Sequence, residues 1–207
     1  MPGSEGAVAE ILIDLGALRK NYRLLRKKLA SGSELAAVVK ADAYGLGAER
    51  VVPVLVDEGC TIFFVATLEE GIAVRRVAKH AKIYVLNGIV DSDAWQDLYY
   101  HDIQPVLNDL GQVDRWALYR GRNPQNELTA AIHIDTGMTR YGVSVTQIPL
   151  LKQRLGGGYS PSLLMSHLAC SDEEGHELNH VQLMRFTSSV DSLALGKSCC
   201  QLSLANS

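Results

Sequence analysis

Short apolar runs recur along the chain: "LAAVVK" (35–40), "IFFVAT" (62–67), "KIYVLN" (82–87), "IQPVLN" (103–108), "TAAIHID" (129–135), "SLLMSHL" (162–168) and "CCQLSLANS" (199–207). Each is near-continuously apolar, as expected of a strand covered on both faces. Between most of them the period lengthens to that of a helix. Leu18, Tyr22, Leu25 and Leu29 fall on one stripe before the first run, and Leu183, Phe186, Val190 and Leu193 on another before the last. Thr67 and Glu70 form a capping box that opens "LEEGIAVRRVAKH". Ser92 is placed to cap "DAWQDLYY", and Asn108 to cap "DLGQVDRWALY". Pro53 lies in the middle of the helix after the first run and predicts a kink there.

Alternating strands and helices imply an α/β fold with a parallel sheet and right-handed crossovers. Seven strands fit a doubly wound sheet, and they also fit a (β/α)8 TIM-type barrel without its last strand. The chain closes on an apolar strand with no helix to cover it. Such an open edge invites pairing, which favours the incomplete barrel and a longer parent protein. The strand-like "VAEILIDL" (8–15) stands outside the repeat, and "LGGGYSP" (155–161) reads as a flexible loop.

Composition narrows the partners more than the fold. Net charge is −3, with no basic block interleaved with aromatics, so nucleic acid is not an expected partner. The basic "RKNYRLLRKK" (19–28) reads as the solvated face of a helix. No apolar run approaches the roughly 20 residues that span a bilayer, and the N-terminus lacks a secretory pattern. Cys60, Cys170, Cys199 and Cys200 show no CxxC spacing, which suits reduced thiols in a cytoplasmic protein.

In a barrel the chemistry sits at the C-terminal ends of the strands. Lys40, Asn87, Asn108, Asp135, His167 and Ser207 fall there, with Tyr44 and Arg140 just beyond. Period-two alternation sets Ala36, Val38 and Lys40 on one face. An ammonium among apolar neighbours is costly, and a neutral amine there could condense with a carbonyl. The same spacing equally fits a lysine that snorkels at a strand end. In "HIDTGMTRYGV" (133–143), Arg140 is able to hold an anion, or to clamp Asp135. His167 ends an apolar strand, where a lone histidine is more often a hydrogen-bonded core residue than a catalyst. His176 and His180 stand at i, i+4, but spacing offers no third ligand, so a solvated helix start is favoured over a metal site. The glycines of "GLG" (45–47) bring backbone near any ligand beside Tyr44.

Taken in order, "IDLGALRKNYRLLR", "AVVKADAYGLG", "IDTGMTRYGV", "MSHLACSDE" and "SLANS" resemble the motifs of the alanine racemase family, over essentially the whole chain. The resemblance implies a pyridoxal 5'-phosphate (PLP) barrel of fold type III. In it Lys40 would attach PLP covalently and act as one base. Tyr44 would hydrogen-bond the cofactor phosphate, with Ser207 and the backbone around Asn206. Arg140 would contact the PLP phenolic oxygen and place the substrate carboxylate. His167 would orient an arginine beneath the ring, and no metal is implied. The reaction would interconvert L- and D-alanine by a two-base route, supplying D-alanine for peptidoglycan in the cytoplasm.

The family's opposite base is a tyrosine from a C-terminal β-domain of the partner subunit in a homodimer. Residues 1–15 would then be an N-terminal strand joining that domain, and 16–207 the PLP-binding barrel, cut before its last strand and alone inactive. His133 stands where many members carry a carbamylated lysine, so Arg140 would be positioned differently here. Two alternatives stay open: a non-catalytic PLP-binding module, and a racemase for another small amino acid such as serine.

Overall fold

The computed structural model describes residues 11–89, 94–156, 159–195 and 200–205. All seven expected strands form: β1 (Ala37–Val38), β2 (Ile62–Val65), β3 (Lys82–Val85), β4 (Gln104–Leu107), β5 (Ala131–Asp135), β7 (Leu163–His167) and β8 (Gln201–Ala205). A further two-residue strand, β6 (Val143–Ser144), pairs beside the end of β5. The main sheet runs β1-β2-β3-β4-β5-β7-β8, all parallel, in the order of the chain. A doubly wound sheet would reverse its strand order partway. This one does not, and it matches an incomplete (β/α)8 barrel. It also curls: Gln201 Nε2 at the start of β8 donates to Glu34 Oε2, just before β1, at 2.8 Å.

Period-two alternation divides each strand between two apolar layers. Ile62, Phe64, Tyr84, Val106, Ala131, Leu163 and Met165 form an inner cluster, with Ala36 and Val38 against it. Phe63, Val65, Ile83, Val85, Leu107, Ile132, Ile134 and Leu164 belong to the larger layer beneath the helices. Nearly continuous apolar strands are the consequence of covering both faces.

The helices are α1 (Leu15–Lys28), the short turn α2 (Lys40–Tyr44), α3 (Ala48–Asp57), α4 (Leu68–Val77), α5 (Ala94–Tyr100), α6 (Leu110–Arg122), α7 (Ile148–Leu155) and α8 (Glu177–Leu193). The capping box at Thr67 and Glu70 forms as expected. The cap of α6 falls one residue later than expected: Asp109, not Asn108, accepts from Gln112 N at 2.8 Å. A carboxylate at Ncap opposes the helix dipole better than an amide, and the Asn108 side chain is committed elsewhere. Helix α3 continues through Pro53. Ser92 lies outside the described residues.

Of the strand-like 8–15 segment only residues 11–15 are described, and there Asp14 caps α1, accepting from Ala17 N at 3.0 Å. The α1 stripe is buried only in part. Tyr22 is buried and its hydroxyl donates to Leu35 O at 3.1 Å, whereas Leu25 remains 52% exposed. Only Leu15, Leu18 and Tyr22 of α1 reach the outer core.

Candidate functional site

The chain leaves β1 into a turn of unusual hand. Ala41, Asp42, Ala43 and Tyr44 all have φ between 50° and 57°. Left-handed backbone costs a non-glycine residue roughly 1–2 kcal/mol, so four in succession need firm support. Asp42 supplies part of it, its side chain accepting from Ala48 N at 2.7 Å and its carbonyl from Gly47 N at 2.9 Å. Ala43 N donates to Val39 O and Gly45 N to Ala41 O, at 3.0 and 2.8 Å. Glu70 supplies the rest, accepting from Ala41 N at 2.8 Å and from Ala66 N at 2.7 Å. The turn explains why "KADAYGLG" follows an apolar strand: Gly45 and Gly47 take φ of 81° and 87°, and a side chain at either would meet open space.

Lys40 opens this turn, directly after the inward-facing Ala36 and Val38. It is half-buried rather than enclosed, and makes no ion pair among the described residues. Its Nζ lies 5.9 Å from the centre of the Tyr44 ring, and Tyr44 is 58% exposed. The amine and phenol therefore flank one opening.

Arg140 comes from the loop between β5 and β6. Asp135 does not clamp it. Asp135 Oδ1 accepts instead from Gly137 N and Thr139 N, both at 3.0 Å, which folds the loop over the end of β5. Arg140 is exposed and lines a cavity of about 420 Å³ with Asn108, Asp135, Tyr141 and Gly142. Behind it, sequence spacing gave no hint of a buried network. Thr136 Oγ1 and Ser166 Oγ are 2.7 Å apart, and Gln182 Nε2 donates to Thr136 Oγ1 at 3.0 Å and to His167 O at 2.9 Å. Gln182 is fully buried and ties the ends of β5 and β7 to α8. As an ordinary polar residue on a helix, it carries no local signal of that role.

His167 is half-buried at the end of β7. Burial lowers its pKa, and the charges of Arg140 and Lys40 lower it further, which sets all three groups in one field. His133 lies deeper. Burial is the main cause that pushes it down to about 4, with the His167 charge next. Its ring orientation follows from Asn108, whose Nδ2 donates to Leu86 O and Val106 O at 2.8 and 3.1 Å. Asn108 Oδ1 then faces His133 Nδ1 at 3.2 Å, so Nδ1 carries the proton. Burial thus holds both imidazoles below the ordinary histidine value. Asn206 and Ser207 lie outside the described residues, and Asn87 is exposed. His176 caps α8, its Nδ1 accepting from Leu178 N at 3.1 Å. Among the described residues no cluster of three or more His, Cys, Asp or Glu is arranged to hold a metal.

A titration consequence follows for His133. Its folded value lies below its ordinary 6.5, so the folded protein binds fewer protons. The stabilisation from keeping it neutral is complete above pH 6.5 and is lost as pH falls towards 4, about 3 kcal/mol in all. Urea unfolding at pH 7.0 and pH 4.5 is expected to show a smaller acid loss in His133→Asn than in the parent. Equal losses would contradict the buried neutral imidazole.

Fold and site together define a curled (β/α) barrel with a lysine and a tyrosine on a strained turn at one strand mouth and an arginine at another. Residues 13–207 match the family described as alanine racemase, N-terminal domain, and the chain belongs to that family. It is 46% identical over 181 residues to a catabolic alanine racemase of Agrobacterium fabrum, covering 86% of this chain and 46% of that protein. It is 39% identical over 189 residues to an alanine racemase of Rhodospirillum rubrum, covering 90% and 50%. The chain thus spans about half the length of these curated relatives. The crystal structure of alanine racemase from Bartonella henselae with covalently bound pyridoxal phosphate superposes with a TM-score of 0.85 at 32% identity, covering 94% of this chain and 56% of that one. The alanine racemase structure from Acinetobacter baumannii shares the fold, with a TM-score of 0.81 at 24% identity.

Proposed function

We propose that this chain is the cofactor-binding barrel of a PLP-dependent alanine racemase interconverting L- and D-alanine. The observation that carries the reading is Lys40 at the mouth of β1, on a left-handed turn beside Tyr44, within the motif "AVVKADAYGLG". The donor set suits PLP. An accessible primary amine meets its aldehyde, a neighbouring phenol and glycine backbone can approach its phosphate, and Arg140 supplies a cation for anionic oxygens. When bound, PLP makes the carbanion left by loss of an α-proton accessible at neutral pH.

The chain's own residues divide the remaining work. Lys40 attaches the cofactor and moves the α-proton on one face. Tyr44 holds the phosphate, an assignment that extends to Asn206 and Ser207. Arg140 orients the substrate carboxylate. His167, neutral and half-buried, orients a group beneath the ring without adding charge. Racemisation needs a second proton carrier on the opposite face, and in this reading a tyrosine of a partner subunit supplies it in a homodimer. Residues 1–15 would join the domain that carries that tyrosine. D-alanine supply for peptidoglycan and a cytoplasmic location belong to the same reading. No described helix is long and apolar enough to cross a membrane.

The chain spans about half the length of its curated relatives. The second reading is a PLP-binding module without turnover. Incubation of the chain with PLP and L-alanine in deuterium oxide separates them. Exchange at the α-carbon with D-alanine appearing is expected once the protein includes the opposite base. Cofactor binding with neither exchange nor D-alanine is expected of the module. A full-length protein that binds PLP yet racemises only serine would move the substrate assignment away from alanine.

A further inference from the structure

We infer that Glu70 is a positioning residue for Lys40: its carboxylate ties the left-handed turn to α4 and so sets the lysine at the barrel mouth. The inference rests on the role proposed for Lys40. A capping box requires one carboxylate oxygen, returned to the Ncap N–H. Here that bond is the weakest of the set, Thr67 N to Glu70 Oε2 at 3.4 Å. The shorter bonds go to the two strand ends: Oε2 accepts from Ala66 N at 2.7 Å, and Oε1 from Ala41 N at 2.8 Å. Ala41 directly follows Lys40 and begins the run of positive φ. On the other side of Lys40, Val39 N donates to Phe64 O at 2.9 Å. The lysine backbone is therefore pinned to β2 before it and to α4 after it.

The other bonds of the turn move with it. Asp42 to Ala48, Asp42 to Gly47, Gly45 to Ala41 and Ala43 to Val39 all join residues of the segment 39–48. Among the described residues Glu70 is the side chain that fastens residues 41–44 to a separate element. Its charge also matters, because all three of its partners are N–H donors. A glutamine keeps one acceptor oxygen and turns its own N–H groups against the rest. Either Ala41 or the Ala66–Thr67 pair then loses its partner, and the strained turn relaxes with Lys40 on it.

The test compares Glu70→Gln with Thr67→Ala and the parent chain. Thr67→Ala removes the helix-cap hydroxyl, which accepts from Glu70 N at 3.4 Å, and leaves the Ala41 bond in place. Three quantities are measured: the rate of borohydride-trapped PLP attachment at Lys40, amide exchange over residues 41–47, and the unfolding midpoint. Glu70→Gln is expected to slow attachment and speed exchange by about tenfold or more, the worth of one charge-assisted hydrogen bond. Thr67→Ala is expected to lower the midpoint without changing attachment. Parental attachment in Glu70→Gln, or an equal loss in Thr67→Ala, would overturn the inference. If the parent chain attaches no PLP, the proposed function fails and amide exchange alone decides: unchanged exchange in Glu70→Gln overturns the positioning role, and a tenfold rise upholds it. Should Glu70→Gln not fold, Glu70→Asp keeps both oxygens with a shorter reach and takes its place in each comparison.

Discussion

Lys40→Ala is expected to abolish covalent PLP attachment while leaving the fold intact. The side chain is half-buried and makes no ion pair among the described residues, so its removal exposes no orphaned partner. The backbone bonds on either side, Val39 N to Phe64 O and Ala41 N to Glu70 Oε1, survive the substitution. Stability should therefore change by about 0.5 kcal/mol or less, as for other substitutions away from the core. The visible absorbance of the lysine–cofactor adduct should vanish. Circular dichroism and the unfolding midpoint check the first half of this statement, and spectra recorded with PLP check the second. An adduct band of parental intensity in Lys40→Ala would remove Lys40 from the site.

Gly142→Ala is expected to cost about 3 kcal/mol of folding stability and to displace Arg140. The loop bearing Arg140 returns so closely to β5 that a Cβ at residue 142 would stand 2.5 Å from Asp135 N and 2.9 Å from the Ile134 carbonyl carbon. Those are backbone atoms of a central strand, which cannot swing aside as a flexible side chain does. The φ of +114° is itself one that alanine rarely adopts. Backbone strain and overpacking each cost about 1–3 kcal/mol. Gly121→Ala is the matched control: it lies in α6 with nothing within 4 Å of its added Cβ. That change should be neutral or stabilise by up to about 1 kcal/mol, the helix preference of alanine over glycine. Urea denaturation of both variants provides the comparison. A Gly142→Ala protein as stable as Gly121→Ala would mean that the loop does not hold this close approach.

The parallel barrel was legible in the sequence because a strand buried on both faces leaves a plain trace. Phe63 and Val65 face the helices while Ile62 and Phe64 face the interior, so "IFFV" reads as one apolar run. The capping box at Thr67 was equally plain, being local chemistry at fixed spacing. Asn108 misled because it and Asp109 are both good caps, and only the tertiary fold commits Asn108 to Leu86, Val106 and His133. The β6 pairing was invisible, since two residues cannot establish a period.

The site divides in the same way. Lys40, Tyr44 and Arg140 stood out as polar groups just past apolar strands. Gln182 and the second role of Glu70 did not, because their partners are backbone groups of other elements. Four successive left-handed residues were also hidden, for only Gly45 and Gly47 announce positive φ in sequence. Ile11 and Leu12 of the strand-like 8–15 segment are apolar yet about nine-tenths exposed.

The lysine ending β1 is proposed as the cofactor's attachment point. The most direct measurement is to incubate the chain with equimolar PLP, reduce with borohydride, digest, and locate the added mass by peptide mass spectrometry. A single dominant label on Lys40 is expected. Label spread evenly over exposed lysines such as Lys20 and Lys82, with none favoured at Lys40, would contradict it.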